Sequence, residues 1–303
     1  MITAFGLFVI IAVVVIAAGV HLGFRAPRLR ETGTPADHGL AFEEVRIATV
    51  RRRHLFGWWL PAPGAAGTVV MLHGWGSNAE LMLPIAAPLR RAGLNVLLFD
   101  ARNHGNSDSD TFSSLPRFAE DLGQAIAWLE RHDPGRAERI AVLGHSVGAG
   151  AALFQASQDP GISAVISIAA FAHPAQVTER YLRHLHLPRL VTAVVIRYVE
   201  WLIGHRFDTI APLHTVSRIV CPVLLVHGRD DQTVPVDDAR RILANARAPH
   251  VRLLEIDGAG HNSTEHIEWH APALLRFLDE SWSAGAWDVP RLVQAGHGKV
   301  LES

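Results

Sequence analysis

Five short apolar runs that alternate with helix-length segments constrain the fold of this chain more than any other feature. Each run is almost continuously apolar, which is typical of a strand covered on both faces. The runs cover residues 68–72, 94–99, 139–143, 164–168 and 222–226, and the helix-length segments cover residues 79–92, 115–131, 147–157 and 236–246. Strands and helices in this order pair in parallel through right-handed crossovers. The pattern therefore predicts an α/β fold with a doubly covered sheet.

Further elements complete this sheet at both of its ends. Residues 43–50 alternate between apolar and polar side chains, as in a half-buried strand, and residues 54–60 could be their hairpin partner. A last strand near residues 251–256 and a helix over residues 263–281 close the pattern. The sequence thus predicts one domain over residues 42–282, built on a mostly parallel sheet of about eight strands.

Residues 171–215 interrupt the alternation, because they are too many for a simple connection between two strands. Within them, residues 190–203 form an apolar helical run that is too short to cross a membrane and contains Arg197 and Glu200. We interpret residues 171–215 as a small helical cap over the carboxyl ends of the strands. A core helix over residues 190–203 is the alternative.

The N-terminus is apolar over residues 2–24, which contain no Asp, Glu, Lys or Arg. A helix of that length spans about 35 Å, enough to cross a bilayer. Arg25, Arg28 and Arg30 follow it and, by the positive-inside tendency, would keep the downstream end in the cytoplasm. We therefore expect a single-pass transmembrane anchor over residues 1–26, with the globular domain in the cytoplasm.

A cleaved signal peptide is the alternative to this anchor. Ala17, Ala18 and Gly19 would form its cleavage region, and the domain would then be periplasmic or secreted. No Lys or Arg precedes the apolar stretch, which disfavours a signal peptide. Residues 27–41 are interpreted as a linker, and residues 283–303 as a C-terminal tail without clear periodicity.

The composition argues against several classes of partner. A formal net charge of -1 leaves no basic excess that would indicate nucleic acid. The single cysteine, Cys221, cannot form an internal disulfide. The 18 histidines show no zinc-ligand spacing, and we interpret His184 and His186 as solvated or packed side chains. We expect neither a metal nor an organic cofactor.

A Gly-x-Ser-x-Gly turn stands where one apolar run passes into a helix, as Gly144-His145-Ser146-Val147-Gly148. Such a turn strains its central residue, and the flanking glycines remove side chains that would clash. The Ser146 hydroxyl is therefore expected to stand clear at the sheet edge. The Val147 amide would lie beside it at the helix N-terminus, where a developing oxyanion is favoured. Alone, the pattern is equally compatible with an ordinary strand-to-helix turn.

A histidine and an aspartate follow the ends of the last two apolar runs. Reactive groups gather beyond the carboxyl ends of parallel strands, so these residues are expected to share one edge with Ser146. His261 would be the base that a weakly acidic serine hydroxyl needs at neutral pH. Asp231 would orient the His261 ring and stabilise its charged form. The adjacent Asp230 is the alternative, and the spacing Asp-x-x-Val-Pro favours Asp231.

Together these motifs resemble the α/β-hydrolase superfamily, of the serine esterase and lipase type. The chain order Ser146, Asp231, His261 is that of the superfamily. The segment Asp100-Ala-Arg-Asn-His-Gly-Asn-Ser107 is similar to one in membrane-anchored bacterial and ABHD-type hydrolases. The resemblance covers about residues 42–282 and implies Ser146 as nucleophile, Asp231 as acid and His261 as base.

The resemblance also implies an oxyanion hole made by the backbone N–H groups of Trp75 and Val147. The pair His73-Gly74 would shape the turn that aims the Trp75 amide. Asp100 and Arg102 would fix a loop rather than react. Trp75 departs from the family pattern, and we expect its bulk to narrow the acyl pocket.

The function predicted from these features is a serine hydrolase that cleaves small-molecule carboxylic esters, including lipid-like or hydrophobic acyl substrates, through an acyl-enzyme on Ser146. Thioesterases, lysophospholipase-like lipases, acyltransferases and peptidases share this mechanism and differ in pocket shape, which residues 171–215 would set. A catalytically idle, membrane-bound scaffold is the alternative outside the enzymes. The membrane is the second expected partner, and the sequence leaves the oligomeric state open.

Overall fold

The computed structural model describes residues 2–183, 188–247, 249–263 and 267–283. Over these residues the chain forms one eight-stranded sheet with helices on both faces. The strands are β1 (Glu43–Thr49), β2 (Arg53–Leu60), β3 (Thr68–Leu72), β4 (Asn95–Phe99), β5 (Ile140–His145), β6 (Ile162–Ile168), β7 (Val223–Gly228) and β8 (Val251–Ile256). The mostly parallel sheet of about eight strands predicted from the apolar runs is confirmed.

The helices follow the predicted alternation. They are α1 (Ile2–Gly23), α2 (Leu83–Arg91), α3 (Leu115–His132), α4 (Val147–Ala156), α5 (Pro174–Arg183), α6 (Arg189–Ile203), α7 (Phe207–Ile210), α8 (Pro212–Thr215), α9 (Val236–Ala244) and α10 (Ala271–Ser283). The last helix is shorter than the predicted 263–281, because the chain turns at Trp269 and His270 before α10 begins. Pro272 explains the new start, since proline is tolerated in the first turn of a helix and not in its interior.

The order of the strands across the sheet is β1-β2-β4-β3-β5-β6-β7-β8. The hairpin β1–β2 and its junction with β4 are antiparallel, and the remaining pairs are parallel. From β3 the chain first runs outward to β4 and then returns to β5 on the other side of β3. The strand order therefore reverses between β3 and β5, and in open α/β sheets a ligand crevice lies beyond the strands at such a point.

Alternate residues of each central strand face opposite cores. In β3, Val70 and Leu72 pack with α3 and α4, whereas Val69 and Met71 pack with α2 and α10. No residue of β3 or β4 is exposed. This two-sided burial is the physical reason why these strands are almost wholly apolar rather than alternating.

The described part of residues 171–215 forms the helices α5 to α8. On α6, Val195 and Val199 are buried in the core beneath, while Leu190 and Trp201 are exposed. The helix is thus core on one face and surface on the other, and its role as a substrate cap stays a prediction. His184 and His186 lie outside the described residues.

The N-terminal residues form α1, whose last turn packs against the domain. Val20 is buried, and the Nε2 atom of His21 lies 3.3 Å from the Tyr198 hydroxyl on α6. Among the described residues, no helix has both the length and the apolar character that crossing a membrane requires. The transmembrane anchor predicted over residues 1–26 is therefore not supported. The cytoplasmic placement of the domain, which was inferred from that anchor, stays a prediction. At the other end of the chain, residues 284–303 of the predicted tail lie outside the described residues.

Candidate active site

Ser146 stands in a strained turn between β5 and α4. Its φ of 54° and ψ of -117° are unusual for a residue with a side chain. Glycine is needed on either side, because the backbones approach too closely for a Cβ atom. A Cβ on Gly144 would lie 2.2 Å from the Gly148 carbonyl oxygen, and one on Gly148 would lie 2.3 Å from that of His73. The turn holds Ser146 half-buried at the rim of the sheet.

Three side chains that are remote in sequence form one hydrogen-bonded line at this rim. The Ser146 Oγ atom lies 2.9 Å from the His261 Nε2 atom, and the His261 Nδ1 atom lies 2.7 Å from the Asp231 Oδ2 atom. Since a carboxylate only accepts hydrogen bonds, Nδ1 carries the proton and Nε2 is free to accept one from the serine hydroxyl. The structure thus brings together the three residues that the sequence analysis selected.

Asp231, and not Asp230, faces the His261 ring. The Asp231 side chain is completely buried, whereas Asp230 is exposed. Burial alone would raise the pKa of Asp231, but hydrogen bonds from His227, His261 and the Val234 amide hold that pKa well below its usual range. Asp231 is therefore ionised at neutral pH, as a group that stabilises an imidazolium must be.

The two residues whose amides are expected to bind an oxyanion are Val147, which follows Ser146, and Trp75, which follows a turn in contact with it. Val147 is the first residue of α4, so its N–H has no acceptor within the helix. The turn before Trp75 presses against the serine, because a Cβ on Gly74 would lie 3.2 Å from the Cβ of Ser146. The Trp75 ring is directed against Phe24, with ring centroids 6.4 Å apart. That this ring narrows the acyl pocket stays a prediction.

His73 locks the turn that leads to Trp75. Its Nδ1 atom lies 2.7 Å from the Gly74 carbonyl oxygen and donates to it, and its Nε2 atom accepts from the Ala101 amide at 3.0 Å. Complete burial and the neighbouring His104 lower the pKa of His73 to about 3, so the ring is neutral. A neutral ring is required here, because a charged one would have no free acceptor nitrogen.

Asp100 and Arg102 fix the loop after β4, as expected. The Asp100 carboxyl group accepts from the amides of Ala79 and Asn106, both at 2.8 Å. Arg102 is buried and donates through Nε to Asp121 at 2.7 Å. Neither residue lies in the line formed by Ser146, His261 and Asp231.

Three contacts at the site were not anticipated from the sequence. The His145 ring reaches the backbone of His261, His227 lies 3.5 Å from the Asp231 carboxylate, and Phe24 covers Trp75. The two histidines directly adjoin predicted features, the serine turn and the end of β7. Their position next to those features is the one sequence signal that could have identified the two histidines, because the residue that His145 contacts is remote in sequence.

One group of described residues has side chains suited to holding a metal ion: His173, Asp208 and His214. The His173 Nδ1 atom accepts from the Ala175 amide at 3.2 Å, so the proton resides on Nε2, which donates to Asp208 at 2.9 Å. A metal on Nε2 would move the proton to Nδ1 and oppose the Ala175 amide. The arrangement therefore fits a hydrogen-bonded pair better than a metal centre.

Comparisons with known proteins give a consistent result. A family model described as "Serine aminopeptidase, S33" matches residues 63–210, which include Trp75 and Ser146 and end before Asp231. An uncharacterised protein of Mycobacterium tuberculosis is 28% identical over 245 residues, 80% of either chain. An uncharacterised protein of Salmonella typhimurium is 24% identical over 269 residues, 83% of this chain and 85% of the other.

Solved structures resemble the chain over most of its length. A Pyrococcus furiosus esterase is 28% identical and superposes with a TM-score of 0.70, covering 86% of this chain and 98% of its own. A Butyrivibrio proteoclasticus protein solved with bound ferulic acid is 19% identical, with a TM-score of 0.63 over 79% of this chain and 100% of its own. At that identity the second likeness speaks for the fold alone.

Proposed function

We propose that this chain, which belongs to the α/β-hydrolase superfamily, is a serine hydrolase that cleaves carboxylic esters through an acyl-enzyme on Ser146. The observation that carries the proposal is the hydrogen-bonded line from Ser146 through His261 to the buried Asp231. The likeness to an esterase at 28% identity supports the ester as substrate class.

In the proposed reaction, the Ser146 oxygen attacks the ester carbonyl carbon while the His261 Nε2 atom takes the hydroxyl proton. The Trp75 and Val147 amides stabilise the resulting oxyanion, each contributing about 3 kcal/mol in the transition state. His261 then gives the proton to the departing alcohol. Water attacks the acyl-enzyme in the same way, releases the acid and returns the proton to Ser146.

Asp231 stabilises the imidazolium that forms in both steps. Its carboxylate is already paired with the His261 Nδ1 atom in the resting site. The Oδ1 atom of Asp231 also accepts from the Thr233 and Val234 amides, each at 2.8 Å, so the carboxylate cannot rotate freely. The charge is therefore held in place before the reaction begins.

The family model's description makes an aminopeptidase the second candidate. Such an enzyme needs a carboxylate that binds the free amino group of its substrate. Asp231 is fully engaged by His261 and two backbone amides, so it cannot serve that purpose. Parallel assays with p-nitrophenyl esters and aminoacyl p-nitroanilides distinguish the two candidates.

The test is Ser146→Ala in an assay with p-nitrophenyl esters of graded acyl length and with a fluorophosphonate probe. The wild type should hydrolyse at least one of the esters and be labelled at Ser146. The variant should lose the label, and its turnover should fall by at least about 10⁴-fold, because no acyl-enzyme can form. Labelling of the variant by the probe, or undiminished hydrolysis, would contradict the proposal.

A further inference from the structure

The residue immediately before the proposed nucleophile, His145, contacts the proposed base through the backbone. Its Nε2 atom lies 2.8 Å from the carbonyl oxygen of His261, a residue 116 positions later in the chain. A carbonyl oxygen only accepts, so His145 must carry its proton on Nε2 and donate it. The rings of the two histidines are 5.2 Å apart and tilted by 48°, so they do not stack.

The surroundings of His145 restrict the ring to this arrangement. The residue is only 6% exposed, and a Cβ atom on Gly74 would lie 3.0 Å from its Nδ1 atom. Burial, followed by the neighbouring charge of His261, lowers the pKa of His145 to about 4. His145 is therefore a neutral ring and acts only as a hydrogen-bond donor.

The segment that carries His261 is attached to the loop after β7, where Arg229 donates to the Asp257 carboxylate at 2.7 Å, and Ala259 is buried in the core. Residues 257–263 follow β8, and the Ala259 carbonyl accepts from the Asp230 amide at 3.1 Å. The Gly260 amide donates to the Ser263 hydroxyl at 2.8 Å, which closes the turn on itself. Within the described residues, the hydrogen bond from His145 is the one that fixes the backbone of residue 261 to the serine turn.

The position of the bond explains what it does. Ser146 and its neighbour His145 share one rigid turn, so a bond from His145 to the His261 backbone sets the distance between nucleophile and base. The 2.9 Å separation of Ser146 Oγ and His261 Nε2 depends on that distance. A displacement of about 1 Å between reacting groups can lower a rate by about 100-fold.

We propose that His145 is a positioning residue that clamps the backbone of His261 to the serine turn and so sets the alignment of the base with Ser146. The inference rests on the proposed function for its kinetic consequence. The clamp itself is a property of the resting protein and can be observed without a substrate.

Two variants that differ by one methylene group test the clamp. In His145→Gln the amide nitrogen reaches the place of Nε2 and can donate to the His261 carbonyl, whereas in His145→Asn it reaches only the place of Nδ1. We expect the Gln variant to stay within about threefold of the wild type in kcat, and the Asn variant to fall by about 10- to 100-fold with KM nearly unchanged.

A spectroscopic readout separates alignment from overall stability. The proton between His261 Nδ1 and Asp231 Oδ2 should give a low-field resonance in the proton NMR spectrum of the full chain. This resonance should persist in His145→Gln and shift or broaden in His145→Asn, at temperatures where both variants are folded by circular dichroism. Equal kcat values and an unchanged resonance in both variants would overturn the proposal.

Failure of the proposed function is distinguishable from failure of the clamp. A wild type that hydrolyses no ester and binds no fluorophosphonate would remove the esterase assignment, while the resonance would still report on the clamp. Conversely, if the wild type is active and the His145→Asn and His145→Gln variants behave alike, the esterase assignment stands and the proposed role of His145 is wrong.

Discussion

At the residue scale, the strained backbone of Ser146 is what exposes its hydroxyl to the base. A residue with a positive φ costs stability, yet here it separates the hydroxyl from both β5 and α4 and leaves it accessible to the base. The two glycines that permit the turn are required by close contacts with the carbonyl oxygens of Gly148 and His73. A side chain at either position would therefore displace the backbone that carries the nucleophile.

The pair Asp230 and Asp231 offers a matched comparison of neighbouring carboxylates. Asp231→Asn should lower kcat by about 10³- to 10⁴-fold, because an amide cannot stabilise the imidazolium and favours the wrong histidine tautomer. Asp230→Asn should stay within about twofold, since this side chain is exposed. Steady-state kinetics on the same p-nitrophenyl ester measures both. A large loss in Asp230→Asn alone would reverse the assignment.

At the element scale, the segment after α1 is attached to the loops around the site. Arg28 donates to the Ser107 carbonyl at 2.9 Å, and the Glu80 carboxylate accepts from the Thr32 amide at 2.7 Å. Phe24 packs edge to face with both Trp75 and Phe112. Residues 24–32 therefore support the loops around the site, and Phe24, which lies in the stretch predicted as an anchor, contacts Trp75, whose amide is expected to bind the oxyanion.

Phe24→Ala tests this support. The change removes two aromatic contacts and part of a half-buried ring, so we expect a loss of about 2 kcal/mol in the free energy of unfolding and a lower kcat/KM. Leu29→Ala in the same segment is the control, because Leu29 is 51% exposed and should change the unfolding free energy by less than about 0.5 kcal/mol. Urea unfolding measures the free energy of unfolding, and ester hydrolysis measures kcat/KM. Equal effects of the two substitutions would show that Phe24 has no special role.

At the scale of the whole molecule, the domain buries histidines in an uncharged form. Burial lowers the pKa of His104 to about 4 and that of His73 to about 3, and His145 is lowered in the same way. The unfolded chain binds protons at these residues below about pH 6.5, while the folded chain excludes them until the lower values are reached. The free energy of unfolding should therefore fall as the pH drops from about 6.5 toward 4.

His104→Phe isolates one of these contributions. A phenyl ring can keep the contact with Phe118, whose ring centroid is 5.1 Å away, but it cannot titrate. Each such histidine contributes a slope of up to about 1.4 kcal/mol per pH unit, so the variant should show a slope smaller by about that amount. Urea unfolding at several pH values measures it. Phe118→Leu should lower stability without changing the slope, and a wild-type slope in His104→Phe would contradict the assignment.

Much of the sheet was predictable, because its signals are local. Strands covered on both faces must be continuously apolar, and turns and helices between them leave their own patterns. The break before α10 and the packing of the N-terminal helix could not be predicted from local signals. An apolar helix has the same sequence pattern whether it faces lipid or packs against protein. The contact that distinguishes the two here, between His21 and Tyr198, joins residues 177 positions apart.

The sequence by itself determined the order of the elements, the strained turn around Ser146 and a short set of candidates at the strand ends. Only the tertiary structure decided that Asp231 rather than Asp230 faces His261, and that His145 holds its backbone. The physical reason is that propensity and periodicity act between neighbours along the chain. Distances of 2.7 to 2.9 Å between remote side chains arise only when packing sets the positions of whole strands.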